Sequence, residues 1–131
     1  MPYILDADWI IQAFAGRAQA ASTWDRLAAV QIFVSWVTVA EVYEGAFNSS
    51  NPQARLNMFR DFLRPYQVLS LNEPIVKRFA ELRAFLRRRG QMISEFDVML
   101  AATALHYDLT VLTFNVRHLQ RIPDLRLYPP G

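Results

Sequence analysis

Short apolar runs alternate along the chain with longer stretches of helical period, and cap and turn residues punctuate the breaks. Tyr3 to Leu5 is an apolar run that stops at Asp6. Trp9 to Phe14 then reads as a helix ended near Gly16, and Ser22 to Ala29 as a second. Ile32 to Val34 predicts a buried strand, followed by a helix opening at Thr38. Ser50-Asn51-Pro52 starts another helix, with Pro in the first turn where no amide donor is required, and Leu56, Phe59 and Leu63 hold its period until Pro65. Gln67 to Leu71 predicts the next strand. Asn72 caps a long helix whose Ile75, Val76, Phe79, Leu82 and Leu86 form one apolar stripe, closed by Gly90. A helix from Ser94 to about His106, a strand from Thr110 to Leu112 and a last strand from Leu125 to Tyr128 complete the series.

Strands that alternate with helices are joined by crossovers, so they pair in parallel and bury both faces of their sheet. The expectation is one domain over residues 1–131, of α/β class: a three-layer α/β/α sandwich with a short, mainly parallel central sheet.

Composition narrows the chemistry. With 53% apolar and 20% charged residues the chain is of ordinary globular type. The absence of cysteine excludes disulfide frameworks, thiol nucleophiles, iron–sulfur clusters and Cys-based zinc sites. His106 and His118 are the only histidines, which excludes a His-rich metal site and leaves carboxylates with a hard, oxygen-preferring cation. The start, MPYILDADW, has an acid at position 6 and no basic segment, unlike a secretory signal. The longest clean apolar run, Val98 to Leu105, is too short to cross a bilayer. A soluble cytoplasmic protein without a membrane partner is therefore expected. Net charge is only +2, but Lys77, Arg78, Arg83, Arg87, Arg88 and Arg89 face the single acid Glu81 within one stretch, leaving the rest of the chain acidic on balance. That stretch reads either as a solvated helix face or as a phosphate-contacting patch.

The acids converge by topology. In an open parallel sheet, ligands bind where the strands end and the following helices begin. Asp6 and Asp8 follow the first strand, Glu41 falls in the first turn of the helix after the Ile32 strand, and Asp97 in the first turn of the Ser94 helix; Asn115 lies two residues beyond Thr113. Each alone has an ordinary structural role. Thr38-x-x-Glu41 is a capping-box spacing and Ser94-x-x-Asp97 is close to one. Together, three or four acids at one edge would repel each other and raise each other's pKa values, unless a divalent cation such as Mg²⁺ or Mn²⁺ neutralises them.

The segments YILDADWI, VTVAEVYEG, EFDVMLAATAL and LTFNVRHLQRIPDLRLY resemble, in order and spacing and over nearly the whole chain, the signature regions of PIN-domain ribonucleases. The nearest likeness is to VapC-type toxins of toxin–antitoxin pairs. The resemblance implies that Asp6, Glu41 and Asp97 are metal-holding catalytic carboxylates and that Asn115 takes a fourth catalytic position. It implies Mg²⁺-dependent hydrolysis of RNA to a 5′-phosphate and a 3′-hydroxyl, a homodimer, and inhibition by a cognate protein antitoxin. His118 stands where some members carry a further acid, so a second metal should bind weakly. Asp8, often Asn in the family, is left between a water-mediated metal contact and a helix cap, His118 between a substrate contact and a surface position, and His106 is expected to be structural. Trp9, Trp24, Phe47, Met58 and Phe62 are candidates for partner surfaces or for core. Two other readings compete. One is a PIN-like module that binds RNA or a partner without cutting. The other is a haloacid-dehalogenase-type phosphatase built on the Asp6-x-Asp8 pair, which would also want a Thr or Val at position 10, a late Lys and a late acidic pair; this chain has Ile10, a single lysine at Lys77, and no such pair. A response-regulator receiver fails likewise, because Lys77 is in the wrong place for it.

Overall fold

The structure, a computed structural model, describes residues 2–16 and 31–129. The helix expected over Ser22 to Ala29, with Trp24, lies outside the described residues. In chain order the elements are β1 (Tyr3–Leu5), α1 (Ala7–Phe14), β2 (Ile32–Ser35), α2 (Trp36–Phe47), α3 (Pro52–Leu63), β3 (Gln67–Leu69), α4 (Glu73–Arg88), α5 (Glu95–Tyr107), β4 (Thr110–Leu112), α6 (Val116–Leu119) and β5 (Leu127–Tyr128). The strands form one sheet in the order β3-β2-β1-β4-β5, and every pairing is parallel.

The first strand sits at the centre. Tyr3 is level with Ile32 on one side and Thr110 on the other, and all three β1 residues are buried. Side chains alternate across a strand, and that alternation sorts the two covering layers. Leu5, Ile32, Val34 and Leu112 point to a core with Trp9, Ile10, Val42, Phe59 and Leu63 from α1, α2 and α3. Ile4 and Val111 point the other way, against Ile75, Leu82 and Leu86 of α4, Val98 and Ala101 of α5, and Leu119 of α6. The expected three-layer α/β/α sandwich is what forms. Because β1 is paired on both sides and covered on both faces, whatever follows Leu5 is buried as well.

Several boundaries differ from the sequence reading, for local reasons. Helix α1 begins at Ala7, directly after Asp6, whose extended backbone (φ −81°, ψ 151°) makes it the cap residue. Helix α2 begins at Trp36 rather than Thr38, because Ser35 takes the extended cap conformation and its Oγ accepts from the Val37 amide at 3.1 Å. The Thr38–Glu41 capping box is therefore not formed, and Glu41 belongs to the second turn of α2. The Thr38 hydroxyl donates instead to the Leu5 carbonyl at 3.1 Å, tying α2 to the end of β1. In α4 the stripe loses Val76, which is 45% exposed: it lies about 100° round the helix from Ile75, which is fully buried. Asn72 and Gly90 act as expected. The Asn72 side chain accepts from the Ile75 amide at 3.0 Å, and Gly90 has the left-handed φ of +64° that ends the helix.

Candidate metal centre

Three separate segments deliver carboxylates to one edge of the sheet. Asp6 is carried by the end of the central strand, Glu41 by α2 and Asp97 by the first turn of α5, and one oxygen from each lies within 4.8 Å of the other two. Two oxygens on opposite sides of a cation bound at 2.0–2.6 Å are about 4–5 Å apart, so the spacing suits a single divalent ion. The burial is graded. Asp6 is 3% exposed, while Glu41 and Asp97 are half-buried.

The scaffold orients two of these side chains and leaves the third unsatisfied. Thr113 Oγ1 donates to Asp6 Oδ2 at 2.8 Å, and the same hydroxyl accepts from the Asn115 amide at 2.8 Å. The Asn115 side chain donates through Nδ2 to Asp97 Oδ2 at 3.0 Å. Ser94 caps α5 by accepting from the Asp97 amide at 3.2 Å. Glu41 Oε1 is buried with no hydrogen-bond partner among the described residues. A buried carboxylate oxygen without a donor is costly, and a cation between the three acids would satisfy it. With only oxygen donors at hand, the residues fit a hard divalent metal.

The electrostatics agree. Burial, then the neighbouring charge of Asp8, pushes Asp6 up to about 8, against the pull of the Thr113 hydrogen bond. Burial, then Asp97 and Asp8, pushes Glu41 up to about 7. Asp97 is also raised by burial, but Ser94, His118 and Asn115 each work to hold it down. Without a cation, this edge holds protons that a metal would displace.

All four expected site residues are thus in one place. Asn115 reaches the cluster as a donor to Asp97. Asp8 lies beside the triad but outside the close-set three: its Oδ1 accepts from the Phe114 amide at 3.3 Å, linking α1 to the loop after β4. The structure therefore gives Asp8 neither the α1 cap, which is Asp6, nor an oxygen in the triad. His118 is exposed on α6, within electrostatic reach of Asp97. His106 lies far along α5, with Nε2 3.5 Å from the Asn72 side-chain Nδ2, outside the site. In the sequence Thr113 serves only as a spacing marker for Asn115. The Thr-x-Asn pattern was itself the signal, since one hydroxyl there can serve both Asp6 and Asn115. Among the candidate partner residues, Trp9 is fully buried, stacked at 4.7 Å on Phe114, and Met58 and Phe62 pack against the core; Phe47 is 65% exposed.

A parallel sheet in this order, with an Asp closing the central strand and a Glu and an Asp from two following helices beside it, defines a class. The PIN domain family matches residues 3–125, and the chain belongs to that family. Within it, the chain is similar to Ribonuclease VapC1 of Haemophilus influenzae (strain R2866), with 30% identity over 128 residues and 96% of each protein covered. It is also similar to the tRNA(fMet)-specific endonuclease VapC of Salmonella typhimurium, with 26% identity over 127 residues. Among solved structures, VapBC-1 from nontypeable Haemophilus influenzae superposes with a TM-score of 0.86 at 29% identity over 98% of both chains. VapBC2 from Rickettsia felis, bound to a promoter DNA fragment, shares the fold with a TM-score of 0.90 at 24% identity, again over 98% of both chains.

Proposed function

We propose that this chain is a divalent-metal-dependent endoribonuclease, the toxin of a toxin–antitoxin pair. The observation that carries the reading is the Asp6–Glu41–Asp97 cluster, with its orphaned Glu41 oxygen, at the strand-end edge of a PIN fold. Family membership and the ribonuclease names of its relatives support it. Asp6, Glu41 and Asp97 are the metal-holding catalytic residues, and Mg²⁺ is the expected ion, with Mn²⁺ as a substitute. When bound, such an ion acidifies water and offsets the charge that develops on a phosphodiester under attack.

The chain's own residues do the positioning. Thr113 orients the Asp6 carboxylate, Asn115 does the same for Asp97, and the neutral Asn115 side-chain amide adds no charge to an already repulsive edge. His118, exposed and within electrostatic reach of Asp97, would meet a phosphate in this reading. The proposed partners are an RNA substrate, a cognate protein antitoxin and a second copy of the chain. Exposed apolar residues including Trp36, Phe47 and Phe96 supply contact area for protein partners, and relatives solved as VapBC assemblies support the antitoxin. Among the described residues no helix is long and apolar enough to cross a membrane; a cytoplasmic setting, where RNA and Mg²⁺ meet, goes with the nuclease reading. The whole chain acts as one domain in this reading.

The test is RNA cleavage by the purified protein with Mg²⁺, with EDTA, and by the Asp6→Asn and Asp97→Asn variants. Cleavage should require the ion and fall by a factor of about 10²–10³ or more in each variant. Full cleavage by the variants would remove these residues from the mechanism. Metal-independent RNA binding without any cleavage would instead favour a non-cutting module.

A further inference from the structure

The basic run along α4 does not act as a unit in the fold. Arg83 is drawn to Glu95 of α5 at 3.4 Å. Lys77 and Arg78 line a shallow cleft shared with Glu73 and Glu81, where the charges offset. Only the C-terminal end of the run is different. There Arg89 meets two arginines that are distant in sequence, Arg117 and Arg121, around a polar cleft of about 480 Å³ whose remaining walls are Phe85, Gln91, Gln120 and Pro123. No carboxylate lines it, and none of the three guanidinium groups forms an ion pair with a carboxylate among the described residues. Two of the three are held in place without neutralisation. Arg89 lies over the Phe85 ring at 4.9 Å, and Arg121 Nη1 donates to the Met92 carbonyl at 3.4 Å. Arg117 is exposed.

The cleft is joined to the metal centre by α6. That helix begins after Asn115, whose side chain holds Asp97, and Arg117, Gln120 and Arg121 follow within two turns. Uncompensated guanidinium groups beside amide side chains present forked donors and positive charge, which is what phosphate oxygens require.

We propose that Arg89, Arg117 and Arg121 form a phosphate-binding subsite that grips the backbone of single-stranded RNA to one side of the bond being cut. The proposal rests on the nuclease reading, and it assigns these arginines to substrate binding rather than to the chemical step. Phosphate contacts of this kind position a strand and carry no sequence information of their own.

The experiment measures binding of a fluorescent single-stranded oligoribonucleotide by anisotropy across a salt series, with EDTA present so that nothing is cleaved. In the R89Q/R117Q/R121Q variant affinity should fall about tenfold or more, and the slope of log affinity against log salt should become shallower by about 2, at roughly 0.7 for each phosphate no longer neutralised. A charge-matched control, R60Q/K77Q/R78Q, should stay within about twofold of wild type. Should removal of the Arg121 hydrogen bond to Met92 unfold the triple variant, the R89Q/R117Q double variant leaves that bond intact and should show about two-thirds of the slope change. Unchanged affinity and slope in the double and triple variants would overturn the subsite. So would an equal drop in the control, which would mean only diffuse attraction. Abolished binding to poly-L-glutamate with RNA binding untouched would also overturn it, in favour of an acidic protein ligand. Cleavage is scored separately on the wild-type protein with Mg²⁺. A protein that shows the binding pattern but never cuts sinks the nuclease reading alone, and one that cuts without the pattern sinks the subsite alone.

Discussion

At the start of α6, Asn115 holds Asp97 within a group of three carboxylates crowded inside 4.8 Å; Arg117 within that helix and Arg121 just beyond it line an open cleft with Arg89. Both regions concentrate charge of one sign, but they are built differently. The acids sit on short side chains at the end of the central strand and near the starts of two helices, and they are partly or wholly buried. Holding them there costs desolvation and mutual repulsion, which shows in the raised pKa values of Asp6 and Glu41. The arginines sit on long side chains at the surface, where water screens them and little stability is at stake. A small ion demands ligands held rigidly in advance, whereas a polyanion needs only a field and a few forked donors. The acidic region should therefore trade stability for function, and the basic one should not.

The strongest way to break that contrast is to remove the charge of Asp6. Asp6 has a raised folded-state pKa, so its contribution to stability is fully present below the unfolded carboxylate value near 4 and is lost as pH rises through about 8. Metal-free protein should accordingly lose stability between about pH 4 and pH 8, with Glu41, raised to about 7, adding to the slope. Asp6→Asn keeps an acceptor for the Thr113 hydroxyl and removes the buried charge. In chemical denaturation at pH 8 it should be more stable than metal-free wild type, on the order of several kcal/mol, while its RNA cleavage should fall. An equally pH-sensitive variant would mean that burial of Asp6 carries no such cost.

A smaller effect sharpens the comparison by testing the support around the acids. Thr113→Val removes at once the donor to Asp6 and the acceptor for the Asn115 amide. It should cost about 1–3 kcal/mol in denaturant unfolding and weaken metal binding, since Asp6 is then free to turn. Stability and metal affinity both at wild-type levels would show that the three acids orient themselves.

How much of this was legible beforehand differs between the two regions for a physical reason. Asp6 was readable because an apolar run ended on an acid, and a buried central strand leaves that acid at the ligand edge. Asp97 was readable from Ser94 three residues before it, a cap the structure retains. Glu41 is readable at the edge from topology, but not its turn: α2 opens at Trp36 and not Thr38, so Glu41 lies in the second turn. The Thr38-x-x-Glu41 spacing imitates a capping box, while Ser35, with its extended backbone, takes the cap and frees Thr38 to bind Leu5. Backbone dihedrals decide which of two competent residues caps a helix, and spacing alone does not reveal them. The arginine cleft was not legible. The Lys77–Arg89 run drew attention to α4, yet three of its cations are offset or paired, and the partners of Arg89 come from a segment nearly thirty residues later. Only packing brings them together.

Central to both regions is whether Asp6, Glu41 and Asp97 hold a divalent ion. Titration calorimetry of Mn²⁺ into the metal-free protein at pH 7, repeated in two buffers of different ionisation enthalpy, addresses it directly. The predicted result is a single dominant site in the wild type, with protons released on binding because burial and neighbouring acids raise Asp6 and Glu41 and the ion favours their ionised forms. The Asp6→Asn, Glu41→Gln and Asp97→Asn variants should each lose most of that binding. Binding that survives all three substitutions would contradict a metal centre at these residues, and binding without proton release would contradict the raised pKa values alone.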